Sequence, residues 1–160
     1  DLPAELEAVF REFRTSELST LAKDGTPITW PITPLYQPEK GSFLITTSIG
    51  FPQKAFNIRH NPRVALFFSD PTGCDLIDPP AVLVQGDAEA PDTVGTVMDF
   101  EALARVVAQR QSTGVSSISN PLLRYLFDWY YMRLAIHITP WRVLWWDQSD
   151  FRRLPHKMEV

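Results

Sequence analysis

The spacing of apolar residues changes period along this chain, and each change marks an element. From Leu2 to Phe13 the apolar residues Leu6, Val9, Phe10 and Phe13 recur at i, i+3, i+4 and i+7, with Glu5, Glu7, Arg11 and Glu12 between them. That spacing predicts a short amphipathic helix within 1–14. From Leu18 onward the period shortens. Leu18 to Ala22 and Ile28 to Tyr36 are β-like runs around "KDGT", and Asp24-Gly25 is a strong hairpin turn. Pro31 and Pro34 lack N–H donors, so the second run is expected at an edge, at a bulge or bent around a barrel. "QPEKGS" is another turn, and Ser42 to Ser48 is a third strand.

A connector, Phe51 to Asn61, is closed by Pro62. Arg63 to Ser69 shows little alternation, as expected of a strand covered on both faces, and Ala81 to Ala88 is a fifth strand in which Gly86 marks a bulge or close approach. The pattern then turns helical from Asp92 to Arg110 and again from Asn120-Pro121 to about Arg133. "LAIHI" and "RVLWW" flank Thr139-Pro140 as two closing strands, and a polar tail follows over 147–160. Six to seven short antiparallel strands with short turns normally close on themselves, because closure removes exposed edges. The expected fold is mainly β: one domain over 1–160, an antiparallel barrel with three decorating helices, two of them in a helical insertion at 92–133.

Composition narrows the function classes. The formal charge is −4, and no basic run offsets it. Duplex nucleic acid and anionic membranes require clustered positive charge, so neither is an expected partner. One cysteine, Cys74, excludes an internal disulfide, and three histidines with one cysteine show no zinc spacing. No apolar run approaches the ~20 residues of a membrane helix. The acidic, amphipathic start does not read as a signal peptide, and the expected location is the cytoplasm.

Against this acidic background, Lys54, Arg59, His60 and Arg63 fall within ten residues between two apolar strands. If the connector is a helix beginning near Pro52-Gln53, its first turn carries unpaired N–H groups and a partial positive charge. Lys54 adds a full charge there, Asn57 shares its face three residues on, and Thr46, Thr47 and Ser48 end the preceding strand. Together these make a candidate phosphate cradle; the alternative is a solvated crossover helix whose cations face water.

"LSTLAKDGTPITWPITPLY", "FLITTSIGFPQKAFNIRHNPRVALFF" and "VLVQGDAEA" resemble the flavin-binding split-barrel family related to pyridoxamine 5′-phosphate oxidase. The most specific part is Lys54 with Asn57 and "NPRVAL" from Asn61 to Leu66. The resemblance implies a split β-barrel homodimer with its cofactor in a groove at the subunit interface. It implies that Lys54 holds the cofactor phosphate, that Thr46, Thr47 and Ser48 hydrogen-bond it, and that Ser19, Thr20 and Pro34 lie near the isoalloxazine ring. Gln53 and Asn57 complete the candidate cofactor-binding set.

The departures are as informative. Leu18 stands where the oxidase has an arginine, and Pro52-Gln53-Lys54 replaces its Ser-Arg-Lys turn. A second phosphate cation is therefore missing unless Arg59, Arg63 or a partner-chain arginine supplies it, and activity on pyridoxamine phosphate is not expected. Relatives of this family use FMN or the deazaflavin F420, and some bind haem. The expected function is an FMN-dependent oxidoreductase acting on a small, flat, conjugated substrate. F420-dependent reduction and a non-catalytic flavin- or haem-binding module are the alternatives. Flavin chemistry asks the protein mainly for position and polarity, and no Ser-His-Asp order, HExxH or P-loop occurs. No catalytic side chain is assigned. His60, His137 and His156, and the loop pair Asp75 and Asp78, read as ordinary surface groups. Trp30, Trp145 and Trp146 either stack on a planar ligand or pack the barrel and an interface.

Overall fold

The computed structural model of the chain describes residues 2–92, 94–96, 105 and 132–160. A helix, α1 (Ala4–Glu12), precedes strands β1 (Ser16–Leu21), β2 (Pro27–Ile32), β3 (Leu35–Gln37) and β4 (Ser42–Ser48). Helix α2 (Gln53–His60) leads to β5 (Arg63–Phe68), β6 (Ala81–Glu89) and β7 (Val94–Thr96). After these come β8 (Met132–Trp146), a 3₁₀ turn and β9 (His156–Glu159). All pairings are antiparallel, in the order β2-β1-β5-β6-β8-β4-β3, with β7 and β9 also pairing β8. The sheet curls into the split barrel that the strand pattern implies.

The core is built from alternate positions. Leu18, Leu66, Phe68, Val82, Val84, Phe43, Ile45, Ile136 and Ile138 are essentially inaccessible, and α1 inserts Leu6, Val9 and Phe10 over them. The Phe10 ring lies 4.9–5.2 Å from Phe43, Phe68 and Tyr36 at steep angles, so one residue of α1 anchors three strands. β5 is alternating rather than covered on both faces: Val64, Leu66 and Phe68 are buried, whereas Ala65 and Phe67 are only half-buried. Phe67 leans on Trp146 and Phe151 on the outer face.

Four further expectations change. The run Ile28 to Tyr36 divides into β2 and β3 around Thr33-Pro34, because proline cannot donate to a continuous ladder. The stretch expected to turn helical at Asp92 opens on strand β7, and Met132–Arg133 begin β8, not a helix end. The rest of the expected helical insertion lies, Arg105 apart, outside the described residues; α1 and α2 are the helices described. The two closing strands are one strand, β8, whose ladder on β6 slips at Gln85/Gly86 so that Trp141 is the extra residue. The tail is paired, too: β9 lies along Arg142 to Trp145, and His156 stacks on Trp145 at 5.1 Å.

Gly86 is required at that slip. A Cβ there would sit 2.5 Å from the Thr139 carbonyl oxygen and 3.1 Å from Pro140 Cα, both backbone atoms that cannot swing aside. We expect Gly86→Ala to lower the unfolding free energy by about 1–3 kcal/mol through overpacking, measured by denaturant titration. An unchanged midpoint would show that the bulge yields.

Candidate functional site

The two ends of the curled sheet do not meet, and a cleft of about 890 Å³ lies between them. β2 contributes Trp30 and Ile32 to one wall, β4 contributes Thr46 to Ser48, the start of α2 contributes Gln53 and Lys54, and β8 contributes Arg133. Among its described lining residues are two cations and no carboxylate.

Local geometry explains the wall at 46–54. Thr47 Oγ1 donates to the Phe51 carbonyl at 3.0 Å, the Gly50 N–H donates to Ser48 Oγ at 3.2 Å, and the Phe51 N–H donates to the Ser48 carbonyl. The Thr47 and Ser48 hydroxyls thus hold the turn that launches α2, and both residues are buried. Thr46 is half-buried and lines the cleft with its hydroxyl unused by the turn. α2 follows Pro52, an N-cap residue without a capping side chain, and its first turn contains no acid. The partial positive charge of its opening N–H groups is therefore uncompensated within the helix.

Lys54 is half-buried, with Nζ 5.0 Å from the centroid of Trp30 across the cleft. Burial, and next the charge of Arg133, hold its ammonium below the usual lysine value. Arg133 stands opposite Ser48 in the β4–β8 ladder. It brings a second cation to the described lining. Arg59 and Arg63 do not: Arg59 bonds the Ala90 carbonyl and Asp92 (2.7 and 2.8 Å), and Arg63 pairs with Asp87 and lies over Trp141. No short-range signal marks Arg133, because only the ladder brings it to Ser48.

The remaining candidates separate. Ser19 and Thr20 point to opposite faces of β1, as successive strand residues must. The Ser19 hydroxyl bonds the Thr29 hydroxyl on β2 (2.8 Å). Thr20 is buried and accepts from Asn57 Nδ2 at 3.0 Å, while Asn57 Oδ1 accepts from Gln53 Nε2 at 2.8 Å. Of these three only Gln53 lines the cleft. Pro34 is buried outside it. His60, His137 and His156 are exposed and line no part of it, as are Asp75 and Asp78 in their loop. Of the tryptophans in question, Trp30 faces the cleft, whereas Trp145 and Trp146 pack with His156, Phe67 and Phe151. Among the described residues no group of three or more His, Cys, Asp or Glu is placed to hold a metal ion, and no helix is long and apolar enough to cross a membrane.

Fold and cleft together define a split β-barrel whose open seam is lined, among the described residues, by Lys54 and Arg133. The chain belongs to the pyridoxamine 5′-phosphate oxidase family, whose sequence profile matches residues 2–138. No curated protein matches it in sequence. Among solved structures it is similar to a conserved hypothetical protein of Mycobacterium tuberculosis, with 24% identity over 100% of this chain and 92% of that one and a TM-score of 0.63. A haem-binding protein of Mycobacterium smegmatis is similar at 16% identity, covering 99% of this chain and 59% of that one, with a TM-score of 0.60. An F420 reductase is similar at 22% identity, covering 87% and 95%, with a TM-score of 0.59. At these identities the likeness is one of fold.

Lys54 generates a paired expectation. Its lowered value means that its charge costs the folded state free energy at neutral pH, a cost that fades as pH rises from that value towards 10.5. Lys54→Met is therefore expected to be at least as stable as the parent at pH 7 by thermal unfolding, while binding anions more weakly. Parent affinity for sulfate, whose charge is constant in this range, should fall as pH rises through the lysine's lowered value. Calorimetric titration of the variant should lack that limb.

Proposed function

We propose that this chain is a flavin-dependent oxidoreductase that holds FMN in the cleft, with F420 as the alternative cofactor on the same groups. One observation carries the reading: in a chain of net charge −4, Lys54 and Arg133 line one cleft whose described lining has no acid. Two half-buried cations lining one cleft are suited to charge-assisted hydrogen bonds with an anion held there. A phosphate monoester fits that donor set together with the opening N–H groups of α2. Thr46 and Gln53 add neutral polar contacts, and Thr47, Ser48, Thr20 and Asn57 position the turn and helix from behind.

Trp30, Ile32, Phe51 and Phe56 give the rest of the cleft an apolar surface suited to a flat ring and a small conjugated substrate. A bound flavin or deazaflavin would supply hydride transfer, and the chain's contribution is to bind, orient and exclude water. Phe51 and Phe56 remain 64% and 54% exposed at the rim. That exposure supports a homodimer in which a second subunit covers the groove. The haem reading is weaker on donor chemistry, because the described lining contains no His, Cys, Met or Tyr to serve as an axial ligand.

The visible spectrum of purified protein and titration with FMN and with F420 test the proposal. We expect a stoichiometric complex with one of them, reducible by a nicotinamide donor or by substrate and reoxidised by a conjugated acceptor. Lys54→Ala should weaken that complex by about 1.5–3 kcal/mol, the range for a charged hydrogen bond. Binding neither cofactor sinks the reading; binding one without turnover favours a carrier.

A further inference from the structure

Three polar side chains run in a line from the barrel interior to the cleft. Gln53 Nε2 donates to Asn57 Oδ1 at 2.8 Å, and Asn57 Nδ2 donates to Thr20 Oγ1 at 3.0 Å. Thr20 and Asn57 are 1% and 3% exposed, whereas Gln53 lines the cleft beside Lys54. In this direction the Thr20 hydroxyl only accepts, and among the described residues its proton meets no acceptor. With Nε2 committed to Asn57, the end of Gln53 left for the cleft is the acceptor Oε1.

The line also works in reverse. The carbonyl and NH₂ ends of an amide are nearly equal in size, so each amide can turn over in place. Thr20 then donates to Asn57 Oδ1, Asn57 Nδ2 donates to Gln53 Oε1, and Gln53 offers Nε2 to the cleft. Both directions make two internal bonds at the same positions. The reversed one also uses the Thr20 proton that is otherwise buried without an acceptor, which has a cost. What then selects the direction is the charge in front of Gln53. Lys54 and Arg133 favour a carbonyl oxygen there, whereas an anion between those cations favours N–H.

We propose that Thr20, Asn57 and Gln53 form a reversible hydrogen-bond relay that inverts when an anionic group enters the cleft, turning Gln53 from acceptor to donor. The proposal rests on the reading of the cleft as an anion site and goes beyond it. Asn57 and Thr20 act through Gln53 as positioning residues, so a buried polar pair tunes affinity for a ligand it never touches. The coupling runs both ways: whatever fixes the amides in one direction sets the charge of ligand that the cleft prefers.

Two measurements on the full chain test this, with inorganic sulfate as the probe. In ¹⁵N–¹H spectra of the parent, saturating sulfate should shift the side-chain amide signals of Gln53 and Asn57 together. An unmoved Asn57 pair overturns the relay. In a double-mutant cycle, Asn57→Asp accepts from both neighbours and pins the Gln53 NH₂ inward. It should weaken sulfate binding more than about tenfold in the parent but less than about threefold in a Gln53→Leu background. Equal losses in both backgrounds would mean that the new carboxylate acts by charge alone, and would overturn the relay while leaving the anion site standing. Lys54→Ala separates the underlying reading. If the parent binds no sulfate, or this variant binds it equally well, the anion site itself falls, and the relay's trigger with it.

Discussion

The architecture depends on how one long strand changes partners. β8 runs from Met132 to Trp146 and cannot keep the same two neighbours over that length. Its first half is flanked by β4 on one edge, and its second half has β9 there instead. On the other edge β7 pairs the start of β8, and β6 follows from His137 onward through a register slip. The slip works because Gly86 has no side chain where the Thr139 carbonyl passes. Bending at this point lets the first half of β8 stay with β4 and bring Arg133 level with Ser48. In the second half Trp145 packs against the core and stacks on His156 of β9, whereas Trp146 meets Phe67 and Phe151 on the outer face. One strand thus carries both the register slip at Gly86 and the second cation of the cleft.

The seam left by this curling is electrostatically unusual for so acidic a chain. Paired cations at the surface normally find carboxylates, as Arg59, Arg63 and Arg142 do with Asp92, Asp87 and Glu159. Lys54 instead rests against the face of Trp30 with Arg133 nearby, and its ammonium is discouraged by burial. A cation–π contact offsets only part of that cost. The cost of charging Lys54 is offset by a fold stabilised elsewhere, chiefly by the cluster around Phe10, Phe43 and Phe68. Such local destabilisation is typical where a protein prepares a place for a charged ligand.

Much of this was legible in the chain because it is local. Asp24-Gly25 marked the first hairpin, Pro62 the end of α2, and the spacing of Leu6, Val9 and Phe10 the buried face of α1. The stretch from Thr46 to Lys54 could be read as an anion-binding turn because strand end, turn and helix start are contiguous. Within it, though, the hydroxyls of Thr47 and Ser48 serve the turn itself, a competition that residue type alone does not reveal. Ser19 and Thr20 were grouped by adjacency, yet strand alternation sends one to the β2 pairing and the other to the interior.

By itself the sequence determined an antiparallel barrel, the turn that carries Lys54, and the acidic net charge against which that lysine stands out. These follow from periodicity, turn chemistry and net charge, all of which act over a few residues or over the whole chain at once. Tertiary structure alone decided that Arg133 and not Arg59 or Arg63 joins Lys54, that Trp30 faces it across the seam, and that Asn57 stands behind Gln53. It also decided that the polar tail becomes a strand. Each of these rests on partners far apart in sequence, and their registers are set by strand pairing and side-chain packing, interactions that exist only once the sheet has curled.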